Sequence, residues 1–157
     1  MLTTVTHDLI LTGHIAVGVA GVFLGPLAIA RLARGRAGWL AVAYHLSVAM
    51  VCASAIGLAV LDLAGLWWFV LVAAGSYAFA VRAQVAVHRG GSGWQARAVR
   101  GFGGAYIALW TAIVVVSVPG IPVVWAVPAL VGIPALEWFA HRMGAHLRAR
   151  AADPVAA

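Results

Sequence analysis

Histidine, arginine and glutamate side chains lie inside long apolar stretches of this chain, where an ionisable group is costly unless it is paired or hydrated. His45 lies six residues after Trp39, and Glu137 lies five residues before Arg142. His141 follows Glu137 by four residues, and residues at this spacing are neighbours on one helix face. Because ionisable groups in lipid usually mark a functional site, these side chains are the first candidates for chemistry.

These donor types suit three kinds of chemistry. Two imidazoles on different helices can ligate a b-type haem, with His45 and either His141 or His88 as the pair and Arg82 beside the propionates. His45, Glu137 and His141 also form a candidate set of two histidines and one carboxylate for a transition metal such as iron or zinc. In the third case, Glu137 is a general acid for an apolar substrate that enters from lipid, and His141 shuttles the proton.

Structural roles remain open for the same residues. Arg82 and Glu137 can neutralise each other as an ion pair between two helices. A neutral His45 can donate a hydrogen bond to a backbone carbonyl or to a hydroxyl group. His14, near the N-terminal end of the first apolar stretch, fits a structural role as well.

The apolar stretches that carry these residues are long enough to cross a bilayer. Of the 157 residues, 64% are hydrophobic and 9% are charged, whereas about 25% are charged in a typical soluble domain. A helix needs about 20 residues to span the hydrocarbon, and five stretches meet this requirement. We therefore expect one integral membrane domain over residues 1–157, an all-α bundle of five transmembrane helices. The stretches are residues 9–32, 38–61, 66–87, 97–118 and 122–145.

The arginines indicate how these helices are oriented. All ten cationic side chains are arginine, and they follow the first, third and fifth stretches. Because basic residues concentrate on the cytoplasmic side, the pattern predicts the N-terminus outside and the C-terminus in the cytoplasm of a multi-pass protein in the cell inner (plasma) membrane. The pattern does not suit a nucleic-acid-binding surface, so we expect the lipid bilayer as a partner and no nucleic acid. The clusters are Arg31, Arg34 and Arg36; Arg82, Arg89, Arg97 and Arg100; and Arg142, Arg148 and Arg150.

Glycine positions predict where helices approach one another closely. Gly21 and Gly25 have the Gly-x-x-x-Gly spacing, and the fourth stretch begins with Gly101, Gly103 and Gly104. Small residues at these spacings let a neighbouring backbone come near. We therefore expect helix–helix contacts on both segments.

Two short segments carry a similarity to a known family. The first is Gly13-His14-Ile15-Ala16-Val17-Gly18, continued by Gly25-Pro26-Leu27; the second is His88-Arg89, followed by Trp94 and by Arg97 or Arg100. They resemble the opening helix and a later His-Arg-x-Trp-Met-x-Arg segment of the bacterial predicted-membrane-protein family called domain of unknown function 2306. The family's other signature, His-Arg-x-x-Gly-Arg-x-Tyr, is not intact in this chain. The resemblance implies a bacterial polytopic membrane protein and raises His14 and His88 as residues of interest.

The sequence therefore predicts a small polytopic membrane protein with a polar site of His45, Arg82, Glu137 and His141 in the cytoplasmic half of the bilayer. The leading hypothesis is a redox protein that binds haem b or a transition metal. One alternative is an enzyme that uses acid–base chemistry on an apolar lipid or isoprenoid substrate. Another is a non-catalytic subunit whose helices pack against a partner membrane subunit or a second copy of the chain. The residue pattern leaves open whether the protein is an enzyme.

Overall fold

The apolar stretches form helices that are joined by short loops. The computed structural model describes residues 2–118 and 120–152, and the described residues include five helical segments long and apolar enough to cross a membrane. This confirms the predicted all-α class and the number of spans; the fifth span combines the short helix α5 with α6. The helices are α1 (Leu2–Ala33), α2 (Trp39–Leu61), α3 (Leu63–Arg89), α4 (Trp94–Ser117), α5 (Pro122–Trp125) and α6 (Val127–Ala152).

Glycine stops two helices at one end of the bundle. Gly90 follows the last residue of α3 with φ +59°, and its N–H donates to the carbonyl of Ala86 at 3.1 Å. Gly35 follows α1 with φ +72° and lies beside Gln95 in the first turn of α4. Glycine adopts this left-handed conformation without strain. α3 therefore continues through Arg89, two residues beyond the predicted span.

The first four long helices form an antiparallel bundle, and the last helix is attached to its outside. α1 packs on α2, α2 on α3, α3 on α4, and α4 closes the ring on α1. α6 packs mainly on α4. Within the most apolar part of the last span, 6% of the residues are buried, compared with 22–33% in the other four spans. The last span therefore leaves most of its surface to the bilayer.

Close contacts at α1 confirm the helix packing predicted from its glycines. A Cβ atom on Gly25 would lie 2.6 Å from the ring of Tyr106 on α4 and 3.2 Å from the ring of Tyr44 on α2. A Cβ atom on Gly21 would lie 2.8 Å from the hydroxyl oxygen of Ser47 on α2. The two glycines therefore bring α1 against both of its neighbours.

The glycines of α4 likewise allow neighbouring helices to pack closely, on two sides of that helix. A Cβ atom on Gly101 would lie 2.8 Å from the backbone nitrogen of Ala83 and 2.8 Å from the carbonyl oxygen of Phe79, both on α3. Gly104 lies against the ring of Phe79, whereas Gly103 faces α6. α4 can therefore approach α3 and α6 at short range.

One end of the bundle carries the loops at residues 34–38 and 90–93 and the C-terminal part of α6, and we call it the arginine-rich end. The C-terminal part of α6 lies at this end because α4 and α6 pack antiparallel: Gly103 contacts Leu136, and Ile107 contacts Gly132. At the opposite end, the rings of Trp68 and Trp125 stack with centroids 6.4 Å apart.

We expect Gly101→Ala to lower the free energy of unfolding by about 1–3 kcal/mol, the usual range for overpacking a tight contact. The added methyl group would meet backbone atoms of α3, which cannot rotate away. The matched control is Gly75→Ala on α3, because a Cβ atom there has no neighbour within 4 Å. Denaturant titration of both variants in mixed micelles measures the effect, and equal stability of the two would contradict the packing.

Candidate functional site

A groove runs along the outside of the bundle where α3 and α6 flank α4. Its volume is about 910 Å³. Apolar side chains form most of its length, among them Phe79, Ile107, Ala108, Ala129 and Ile133. At the arginine-rich end, the lining changes to four arginines and one glutamate: Arg82, Arg89, Arg97, Arg100 and Glu137.

Helical periodicity explains how these residues come to share one groove. On α3, Arg82 and Arg89 are seven residues apart, with Val85 between them, so all three lie on one face. On α4, Arg100 and Gly104 lie four residues apart and face the groove in the same way. Each helix therefore contributes a stripe that is charged near the arginine-rich end and apolar farther along.

Glu137 forms an ion pair with Arg100. The Nε–H of Arg100 donates to both carboxylate oxygens, at 3.0 and 2.9 Å. The side chains are 43% and 53% exposed at the surface of the groove. The prediction that Glu137 pairs with Arg82 is therefore wrong. α4 and α6 pack directly against each other, whereas Arg82 approaches the groove from α3, on its other wall.

The remaining arginines of the groove differ in their bonding. Arg97 donates from Nη1 to the carbonyl of Ser92 at 2.9 Å and from Nη2 to the carbonyl of Gly90 at 3.2 Å, which ties down the loop before α4. Within the part of the chain that the structure describes, Arg82 and Arg89 form no hydrogen bond or ion pair. Two guanidinium groups in the groove therefore lack a protein partner there.

His45 lies away from this groove, between α2 and α3. Its ring is 5.7 Å from that of Tyr77 on α3. Its Nδ1 atom is buried and, among the described residues, has no hydrogen-bond partner. The predicted bond to a carbonyl or hydroxyl group is therefore not formed by this nitrogen.

The other histidines of the predicted haem and metal sets are exposed. His141 lies on α6, which packs on α4 and α5, while His45 lies on α2, which packs on α1 and α3. His88 lies about 16 Å along α3 from Tyr77, at 1.5 Å per residue. The described residues contain no group of three or more His, Cys, Asp or Glu side chains that could hold a metal ion. The structure does not bring His45, Glu137 and His141 together, and haem or metal binding stays a prediction.

His14 makes a contact of a structural kind. Its Nδ1 lies 2.8 Å from the hydroxyl oxygen of Ser54 on α2. The same hydroxyl donates to the carbonyl of Met50 at 2.7 Å, so Nδ1–H of His14 is the donor in the contact between the helices. This arrangement agrees with the structural role expected from the sequence.

Comparisons with protein-family models, with curated proteins and with solved structures found no match to this chain. The resemblance to domain of unknown function 2306 therefore stays a prediction.

Sequence reasoning missed Arg100 as a site residue, because it used this arginine as a sign of membrane orientation and as part of the family resemblance. A signal was nevertheless present. Arg97, Arg100 and Gly104 follow one another at spacings of three and four residues, which is the pattern of one helix face. This stripe continues through the apolar positions Ile107 and Ala108 that also line the groove.

A double-mutant cycle distinguishes the two possible partners of Glu137. For Arg100→Gln and Glu137→Gln we expect a coupling energy of about 0.5–1 kcal/mol, as for partly exposed ion pairs. For Arg82→Gln and Glu137→Gln we expect a coupling below about 0.3 kcal/mol, because these residues share no bond. The free energies of unfolding in mixed micelles provide the measurement. A larger coupling with Arg82 would contradict the observed pair.

Proposed function

We propose that this protein binds an anionic amphiphile that it takes up from the lipid phase. The charged headgroup would lie among the groove arginines, and the apolar chain would extend along the remainder of the groove. The observation that carries this proposal is one continuous groove that is apolar along most of its length and holds, at one end, two arginines without a partner among the described residues.

Arg82 lies seven residues inside the end of α3, whereas Arg89 is the last residue of that helix. An arginine at the centre of a membrane span is unfavourable by about 2.5–3.5 kcal/mol on insertion scales unless an anion or water compensates its charge, so part of this cost applies to Arg82. Among the described residues that line the groove, Glu137 is the only acidic one, and it is bonded to Arg100. An anion supplied by a ligand would therefore find two guanidinium groups that have no hydrogen-bond or ion-pair partner in the described part of the chain.

The shape of the groove supports entry from the side. α6 packs mainly on α4, so the space between α3 and α6 opens toward the bilayer. A volume of about 910 Å³ falls within the range of roughly 300–1,000 Å³ that is common for small-molecule sites. A lipid-like molecule could therefore move from the membrane into the groove without its chain crossing water.

We further propose that the arginine-rich end faces the cytoplasm, so that the N-terminus lies outside and the C-terminus inside. The positive-inside rule supports this orientation. The ligand would then come from the cytoplasmic leaflet of the plasma membrane.

The bonding of Glu137 favours ligand binding over the acid–base enzyme considered above. Both of its carboxylate oxygens accept the Nε–H of Arg100, which is the arrangement of a carboxylate that orients a cation. The proposal therefore assigns recognition of an anion to this group of residues, with Arg82, Arg89 and Arg100 in contact with the headgroup.

The first test measures binding in nanodiscs of phosphatidylcholine. We expect the double variant Arg82→Gln/Arg100→Gln to bind dodecyl phosphate at least about tenfold more weakly than the wild type, since each lost charge-assisted hydrogen bond is worth about 1.5–3 kcal/mol. Zwitterionic dodecylphosphocholine should bind weakly to both proteins. Calorimetric titration, corrected with empty nanodiscs, gives the affinities.

The control for this test is Arg36→Gln. Arg36 lies in the loop between α1 and α2 at the arginine-rich end, but its side chain is exposed and does not line the groove. It should retain wild-type affinity. If the double variant and the control bind alike, or if the wild type does not prefer the anionic amphiphile, the proposed function is wrong.

The second test concerns the apolar part of the groove. Ala129→Leu adds volume to the groove wall on α6, whereas Ala135→Leu adds the same volume on an exposed face of the same helix. We expect the first variant to weaken binding of dodecyl phosphate about tenfold, because the chain loses space. The second variant should bind as the wild type does. If both variants lose affinity equally, the loss is not specific to the groove, and the apolar chain of the ligand lies elsewhere.

A further inference from the structure

The bonding of Arg100 leaves part of its guanidinium group available. Arg100 binds Glu137 through its Nε–H alone. Among the described residues, Nη1 and Nη2 of Arg100 have no partner. A guanidinium group presents its N–H groups in a rigid planar fork that matches two oxygens of one anion. Arg100 is therefore held at one edge of the fork and open at the other.

The charges of the groove also indicate the charge of its ligand. Arg97 donates to the neutral carbonyls of Ser92 and Gly90 and keeps its charge, whereas Glu137 balances the charge of Arg100. Arg82 and Arg89 have no partner among the described residues, so the lining carries three unbalanced positive charges, those of Arg82, Arg89 and Arg97. A carboxylate or a phosphate diester carries one negative charge, whereas a phosphate monoester carries about 1.5 to 2 at neutral pH.

Building on the proposed function, we infer that the headgroup recognised by this groove is a phosphate monoester and that Glu137 is the positioning residue that orients Arg100 toward it. A phosphate monoester has three terminal oxygens, enough to accept the open edge of Arg100 and to contact Arg82 and Arg89 as well. Such a group also compensates more of the positive charge of the lining than a monoanion does. The ligand class is thus a single-headgroup lipid or prenyl chain that ends in phosphate.

Four probes with matched chemistry test the headgroup at pH 8 in phosphatidylcholine nanodiscs. Dodecyl phosphate, methyl dodecyl phosphate and dodecanoate carry the same chain with a monoester, a diester and a carboxylate; inorganic phosphate lacks the chain. We expect dodecyl phosphate to bind about tenfold or more tightly than each of the others, a difference of about 1.4 kcal/mol or more. Equal binding of dodecanoate or the diester would overturn the monoester assignment, and equal binding of inorganic phosphate would identify free phosphate as the ligand instead of a lipid.

Variants of Glu137 test its positioning role. Glu137→Gln keeps an oxygen that can accept from Nε of Arg100, whereas Glu137→Ala removes it. We expect the glutamine variant to bind dodecyl phosphate within about threefold of the wild type and the alanine variant to bind about tenfold more weakly. If the alanine variant binds as tightly as the wild type or more tightly, Glu137 only competes with the ligand for Arg100 and the positioning role is wrong.

Arg100→Lys provides a second variant that leaves Glu137 in place. Lysine keeps the charge but lacks the planar fork, so we expect a loss of about tenfold for dodecyl phosphate. Unchanged affinity in this variant would overturn the role of the fork. These failures differ from failure of the proposed function, in which the wild type would show no preference for any anionic amphiphile over dodecylphosphocholine.

Discussion

The close approach of α4 to its neighbours is the constraint on which the rest of the structure depends. α4 packs on α1, α3 and α6, and the absence of side chains at Gly101 and Gly103 sets the distance on two of these sides. Lipid tails are as apolar as leucine, so helices in a bilayer associate through packing rather than through removal of apolar surface from water. The floor of the groove and the pairing of Arg100 with Glu137 both follow from this packing.

Length and composition were sufficient to predict the number of spans, and glycine spacing predicted their close contacts. The partners of the polar groups were not predictable in the same way. Position in a span gives the depth of a side chain, but not the direction that it faces around the helix axis. His45 and Glu137 were both expected in one polar site in the cytoplasmic half of the bilayer, yet His45 contacts Tyr77 whereas Glu137 contacts Arg100. Rotation of each helix follows from packing between helices, which hydropathy does not record.

Two kinds of polar group in the described bundle have different positions. Within the four-helix part, hydroxyl groups join helices through backbone carbonyls: Ser47 donates to Val17 at 3.1 Å, and Tyr44 donates to Phe102 at 3.4 Å. Such bonds between helices in lipid contribute about 0.6 kcal/mol each on average, so they add little to the packing. The charged groups of the groove instead lie on the outside of α3, α4 and α6, where they can meet a molecule from the membrane.

The peripheral position of α6 has a consequence for the order in which the protein assembles. Ribosomes synthesise the chain from the N-terminus, so the first four spans are present before the fifth. These four already have their contacts with one another, because in the described part of the chain α6 packs mainly on α4. The bundle can therefore form as a unit during insertion, and the groove comes into existence only when the last helix docks. Truncation before residue 127 would leave α4 with an open face in place of a walled groove.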